Sequence, residues 1–211
     1  MDLRARLEDG IRRLGLALPE ATVDGLLAYL AMLVKWNRAF NLTAVRDPME
    51  MVTRHLLDSL AVAPHLHGER IIDVGTGAGL PGIPLALVYP ERQFVLLDSN
   101  SKKTRFLVQA KAELGLANVE VIHARVEGYR PEKGFDCVIS RAYASIADIL
   151  HSSGHLLEGQ GEFVAMKGAL PEQELAAMSS PWQLREVIPL QVPGLDQEQR
   201  HLLRIVAQQG Q

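Results

Sequence analysis

Cysteine is almost missing: Cys137 stands alone in 211 residues. A single thiol cannot close an intramolecular disulfide, so the fold must rest on an apolar core, and the chain suits a reducing compartment. A strong charge of one sign is missing too. The net charge is −3, which excludes a generic polyanion binder, although charge can still be concentrated locally. No long hydrophobic run occurs. The longest weakly charged stretch, residues 71–90, is broken by Asp73 and by several glycines and prolines, and so is no membrane span. Charge begins at residue 2, so no signal-peptide pattern is visible, and the cytoplasm is the expected compartment. There is neither an internal repeat nor a low-complexity tract. What remains is 47% apolar residues over a length that suits one main domain plus an extension.

Residues 1–68 read as helices. Leu3, Leu7, Ile11 and Leu14 recur at helical spacing, and Leu26, Leu27, Leu30, Leu33 and Val34 make a second stripe ending near Trp36 and Phe40. Asp47-Pro48-Met49-Glu50 starts a third helix, with a capping acid, proline at the first helical position and glutamate at the third. That helix carries Val52, Leu56, Leu57 and Leu60 and stops before Pro64. From Arg70 the rhythm becomes strand–helix alternation. Strands read at 70–74, 93–97, 119–123, 135–139 and 161–166, with a helix over 100–114 between the second and third. This pattern predicts an α/β fold, Rossmann-like, with a mostly parallel, doubly wound sheet in residues 69–211 behind the helical extension. Two apolar runs, 184–190 and 201–206, predict a closing antiparallel hairpin.

The most informative stretch is Ile71-Ile72-Asp73-Val74-Gly75-Thr76-Gly77-Ala78-Gly79-Leu80, followed one strand later by Phe94-Val95-Leu96-Leu97-Asp98. Glycines make the tight turn and let backbone approach a ligand. The acid closing the second strand can accept hydrogen bonds from both ribose hydroxyls. The spacing is G-x-G-x-G, and Leu80 stands where a dinucleotide fingerprint would place its third glycine. Asp73 repels a pyrophosphate but suits the ammonium of an amino-acid tail. S-adenosylmethionine has such a tail, an adenosine and no phosphate. It is therefore the cofactor expected at Asp73, Gly75, Gly77, Gly79, Leu80 and Asp98. A nicotinamide or flavin nucleotide, and a glycine turn with no ligand, are the alternatives.

Several other residues carry a choice of roles. Arg141 leaves the carboxyl end of the fourth strand, the edge where such sheets bind ligands, and Lys167 ends the next strand at the same edge. Each is a site candidate, against an ordinary ion pair or a solvated lysine. Arg54 and His55 precede Asp58 on one helix, where they line a cleft or form a polar helix face. Cys137, inside a strand, reads as a core thiol, and Trp36 as a core tryptophan capping the helical extension. His65 and His67, and the pair His151 and His155, lack a third ligand nearby, so no metal is expected.

Further segments carry a family resemblance: Asn41-Leu42-Thr43, Arg54-His55-Leu56-Leu57-Asp58-Ser59, the glycine segment with its Leu80-Pro81-Gly82-Ile83-Pro84 continuation, Leu97-Asp98-Ser99-Asn100, Ser140-Arg141-Ala142 and Lys167-Gly168. Together they resemble the bacterial 16S rRNA guanine-N7 methyltransferases, the glucose-inhibited division protein B family. The resemblance spans most of the chain, the first 40 residues matching only in helical character. It implies methyl transfer from S-adenosylmethionine to N7 of one guanine in the decoding region of small-subunit rRNA. It also implies cofactor contacts at Gly75, Leu80, Val126, Glu127 and Arg141. Val126 and Glu127 follow the third strand, where a backbone amide and a side chain can read the adenine edge. The partner implied is 16S rRNA or the small ribosomal subunit, met by a monomer with no membrane partner.

Guanine N7 has an in-plane lone pair and no proton, so its methylation needs no general base and rests on placing that lone pair in line with methyl and sulfur. Arg141, and with it Lys167, would position the acceptor. Arg141 could instead contact the methionine carboxylate; a guanine role would have to use O6, since donation to N7 blocks the attacking pair. The turn Ile139-Ser140-Arg141-Ala142 lacks the Asn/Asp-Pro-Pro-aromatic signature frequent in exocyclic-amino methyltransferases, and no Pro-Cys nucleophile is present. From Asp98 to Lys111 four basic residues face one acid. Arg38, Arg46, Arg54, Lys102, Lys103 and Arg105 are accordingly the RNA-docking candidates. A methyltransferase acting on protein or a small molecule, and a non-catalytic ribosome-binding module, are the rival functions.

Overall fold

A computed structural model of the protein describes residues 2–141 and 145–208. The amino-terminal segment is helical, as its apolar stripes predict. Helix α1 (Leu3–Arg13) is capped by Asp2, whose carboxylate accepts from the Ala5 amide at 2.7 Å. Helix α2 (Glu20–Phe40) ends where Asn41 turns left-handed. Helix α3 (Pro48–Met51) begins under the Asp47 cap. It continues through a π-helical turn over Val52–Leu57 into α4 (Asp58–Leu60). The periodicity predicts one helix here. The π turn adds a residue to it, and apolar spacing carries no sign of that.

The remaining elements alternate: β1 (Arg70–Val74), α5 (Gly82–Val88), β2 (Gln93–Asp98), α6 (Ser101–Leu114), β3 (Val119–His123), β4 (Phe135–Arg141), α7 (Ile146–Ser153), β5 (Leu157–Lys167), α8 (Glu172–Ala176), β6 (Trp182–Pro189) and β7 (His201–Ala207). They build one seven-stranded sheet in the order β3-β2-β1-β4-β5-β7-β6. Strands β1 to β5 pair in parallel, and β7 runs antiparallel between β5 and β6. The hairpin predicted at the end of the chain is therefore present. β4 and β5 outrun their predicted limits. Ser140 and Arg141 carry no apolar signal, yet they pair with Ala165 and Met166.

Alternating residues of the central strands serve two cores, as the period of two requires. Ile71, Leu96, Cys137 and Ile139 face the side covered by α2, α5 and α6, while Ile72, Val95, Leu97 and Val138 face α7. The first core runs without a break from Leu7, Leu26 and Leu30 to Phe94 and Phe106, so the helical extension and the sheet share it. Each such side chain, fully buried, contributes about 1.5–3 kcal/mol. Tyr29 adds a buried polar tie, its hydroxyl donating to the Ala78 carbonyl at 2.7 Å. Among the described residues no helix is long and apolar enough to cross a membrane. The sheet order reverses between β1 and β4, and at such a switch point the carboxyl ends of the strands open a crevice.

Candidate functional site

Two cavities open along this edge and meet at Gly75 and Lys103. The smaller, about 410 Å³, is lined by Gly75, Leu97, Asp98, Ser99, Val126 and Glu127 among others. The larger, about 530 Å³, runs over Gly77 and Leu80 to Thr43, His55, Asp58, Arg141, Lys167 and Arg200. All but two of the residues predicted to hold a cofactor thus face one of the two cavities. The exceptions are Asp73 and Gly79.

The loop between β1 and α5 explains both exceptions. Gly79 has φ +92°, and a Cβ there would lie 2.6 Å from Ile83 Cδ1 and 2.8 Å from Leu107 Cδ2, so it is a packing glycine. Gly77, at φ +63°, has nothing nearer its would-be Cβ than Lys103 Nζ at 3.9 Å; the space above it is open. Asp73 is expected to face an ammonium. Instead it is 0% exposed and turned into the loop, where Oδ2 accepts from Thr76 Oγ1 at 2.7 Å and from the Gly82 amide at 2.9 Å. Its Oδ1 has no partner. In this structure the carboxylate serves as the brace of the turn, because the two donors nearest to it belong to the loop itself.

Loop amides are already engaged. Gly75 and Thr76 donate to the Leu97 carbonyl, Gly77 to Asp98 Oδ2, Gly79 and Leu80 to the Thr76 carbonyl, and Ile83 to the Gly79 carbonyl. A pyrophosphate site needs such amides free at the helix start. This loop offers a ligand open space and the carboxylate of Asp98, not a cradle of donors. Asp98 accepts from the Gly77 and Asn100 amides, yet lines the smaller cavity with lone pairs remaining for hydroxyls. S-adenosylmethionine fits this donor set: its nucleoside would lie by Asp98, Val126 and Glu127, and its amino-acid end over Gly75 and Gly77. When bound it supplies an electrophilic methyl.

The larger cavity is a meeting of charges. Asp58 Oδ2 accepts from Arg141 Nη1 at 3.2 Å, and Oδ1 from Arg200 Nε at 3.0 Å. Arg54 and Arg200 both bind Glu198, and Lys167 binds Glu174 at 3.2 Å. Arg200 carries no prediction from sequence, since it sits in the polar connection between the two strands of the hairpin. The available signal is the antiparallel run of β7, which brings His201 beside Lys167 and so returns the start of β7 to the ligand-binding edge. His55 is buried, with Nε2 2.8 Å from Thr43 Oγ1. Trp36 is half-buried, packed at a tilt against Phe40 and edge-on to Phe106. Cys137 is buried, which raises its thiol pKa and keeps it inert. Among the described residues no group of three or more His, Cys, Asp or Glu could hold a metal. Ala142 lies outside the described residues.

Two buried groups give opposite pH dependences. Burial pushes Asp73 up to about 7 from 3.8, against the pull of Thr76 and Gly82. Between those values the native state binds more proton than the unfolded chain, so this group makes stability fall as pH rises. Burial, and then the Arg141 charge, pushes His55 down to about 4 from 6.5. There the unfolded chain binds more proton, so stability rises with pH up to the unfolded value. In the wild type these two contributions largely cancel across this window. Asp73→Asn should gain about 2–3 kcal/mol in unfolding free energy from pH 4 to 6.5, and His55→Gln should lose a similar amount toward pH 7. Urea titrations in a pH series check this; two variants running parallel to wild type would refute it.

The sheet order, the glycine loop closed by Asp98 and the paired cavities define a Rossmann-like, S-adenosylmethionine-dependent methyltransferase. Solved structures agree on the fold. A SAM-dependent methyltransferase from Aquifex aeolicus matches at TM-score 0.57 and 16% identity, covering 76% of this chain and 94% of that one. One from Thiobacillus denitrificans, in complex with S-adenosyl-L-homocysteine, matches at TM-score 0.53 and 14% identity, covering 72% and 90%. The chain belongs to the rRNA small subunit methyltransferase G family, whose model matches residues 23–203. Among its relatives, the ribosomal RNA small subunit methyltransferase G of Hydrogenovibrio crunogenus is 55% identical over 95% of this chain and 93% of its own length. That of Ectopseudomonas mendocina is 55% identical over 93% of this chain and 92% of its own length.

Proposed function

We propose that this protein methylates N7 of one guanine in the decoding-region loop of 16S rRNA, with S-adenosylmethionine as donor. One observation carries the reading. The cavity beside the glycine loop is lined by Arg54, Arg141, Lys167 and Arg200, and its one carboxylate among the described lining residues, Asp58, is held by two arginines. An acceptor that needed deprotonation by a carboxylate would find none free among the described lining residues. Guanine N7 brings its own lone pair, and only alignment is required. Arg141 positions the base through O6, and Lys167 stands across the same edge. The family names of the relatives support small-subunit rRNA as the substrate. Mapping N7-methylguanine in small-subunit rRNA from cells lacking the protein tests this. One site should lose its modification and regain it on complementation. An unchanged map, or labelled methyl appearing in protein, would overturn it.

The RNA-docking candidates divide by what already holds them. Arg46 bonds to Asn41 and to the Asn37 carbonyl, Arg54 to Glu198, and Lys103 lies 3.9 Å from Asp98. Arg38, Lys102 and Arg105 are exposed, and none forms an ion pair with another described residue. These three are therefore the phosphate contacts in this reading, placed on α2 and α6 beside the site. Replacing all three with glutamine should raise the RNA KM and reduce the salt slope by roughly 0.7–0.9 log units per lost contact, with cofactor affinity unmoved. A wild-type salt slope in the triple variant would place the RNA surface elsewhere. The target guanine must be reachable by the methyl, so a loop or an extruded base is the expected substrate form.

A further inference from the structure

Asp58 is 4% exposed and reaches two arginines from distant parts of the chain. Arg141 ends β4, and Arg200 stands just before β7. Arg141 Nη1 is tied twice, to Asp58 Oδ2 at 3.2 Å and to the Arg54 carbonyl at 3.1 Å. All three nitrogens of Arg200 are engaged: Nε by Asp58, Nη1 by the Gln199 carbonyl and Nη2 by Glu198. Arg141 keeps the hydrogens of Nε and Nη2 without a partner among the described residues, and it lines the larger cavity. Arg200 is thus a brace, and Arg141 a donor held in one orientation.

We propose that Asp58 is the positioning residue that aims Arg141 at guanine O6, which makes the cavity selective for guanine over adenine. The inference rests on the guanine-N7 reading above. Adenine carries an amino group where guanine has O6, so a fixed guanidinium would meet donor with donor. A mobile guanidinium prefers to fork across O6 and N7. That fork would occupy the lone pair that must attack the methyl. The tether on Nη1 fixes where the remaining hydrogens point, so that O6 is read and N7 stays open. Asp58 also offsets charge. The ring becomes cationic as methyl leaves the sulfonium, and a carboxylate between two arginines lowers the repulsion that they would exert on it. Asp58 does not touch substrate in this scheme; it acts through Arg141.

The test combines a protein change with an atom change in the RNA. Small-subunit rRNA is prepared with guanine or with 2-aminopurine at the target; 2-aminopurine keeps N7 and has hydrogen in place of O6. Wild-type methylation should fall about 10- to 100-fold on 2-aminopurine. Asp58→Asn should be slowed on guanine by a similar factor, with S-adenosylmethionine affinity by calorimetry unchanged. In that variant the further loss on 2-aminopurine should shrink to a few-fold at most, because the O6 contact is already gone. Asp58→Glu should restore part of the discrimination. The Asn variant and the wild-type base comparison decide the matter even where Asp58→Ala fails to fold. Equal wild-type rates on the two RNAs would overturn the proposal. So would an Asp58→Asn enzyme that keeps full discrimination, or one whose cofactor affinity falls as far as its rate. A wild type that leaves the guanine RNA unmodified marks failure of the function reading itself, and this proposal then falls with it.

Discussion

Gly79→Ala should lose about 2–4 kcal/mol of unfolding free energy, the sum of left-handed strain and an overpacked contact. At φ +92° an added Cβ meets Ile83 and Leu107 at under 3 Å, and both side chains are buried in the core shared by the helices and the sheet. Gly77→Ala should behave differently. Its backbone is also left-handed, but the space above it is open, so the stability loss should stay near 1 kcal/mol. In the reading that sets the amino-acid end of S-adenosylmethionine over Gly77, the methyl would instead stand in the cofactor's place, and affinity should suffer most. Urea unfolding and calorimetry on the two variants separate these effects. Equal stability losses would show that the two glycines do not divide the work in this way.

Asp98→Ala should weaken S-adenosylmethionine binding by about 1–3 kcal/mol, roughly 5- to 150-fold. Two causes act together. The carboxylate that would meet the ribose is lost, and the Gly77 and Asn100 amides lose their acceptor. The turn then loosens as the ligand contact disappears. NAD should bind neither wild type nor variant, since the loop has few free amides for a pyrophosphate. Unchanged affinity in the variant would remove Asp98 from the site.

Much of this architecture was legible because its causes are local. The two apolar periods mark helices and strands, Asp47-Pro48 marks a helix start, and G-x-G-x-G followed by Asp98 marks the ligand edge. The glycine spacing did not show that the three glycines have separate duties. That depends on Ile83, Leu107 and Lys103, which only the folded chain brings near. Asp73 is the clearest case of a residue found but given a different task. Its place before the glycines was readable, whereas its donors, Thr76 and Gly82, become neighbours only once the turn closes. Arg200 and Glu198 were invisible for the opposite reason. They sit in a connection without periodicity, and their meeting with Asp58 and Arg54 spans more than 140 positions of sequence.

The π turn at Val52–Leu57 sets the phase of the helix that carries Asp58. Each residue advances an α-helix by about 100°. Removing a single residue between Met51 and Asp58 would let the segment relax into ordinary α-helix with both anchors kept, Met51 in the core and Asp58 on its arginines, because the π turn already absorbs one residue more than an α-helix of the same span. Added length is the costlier change here: a conservative exchange of one buried leucine alters packing, whereas a one-codon insertion turns the core and the arginine anchor about 100° out of phase. Lineages descended from this fold should shorten this segment by one residue far more readily than they lengthen it.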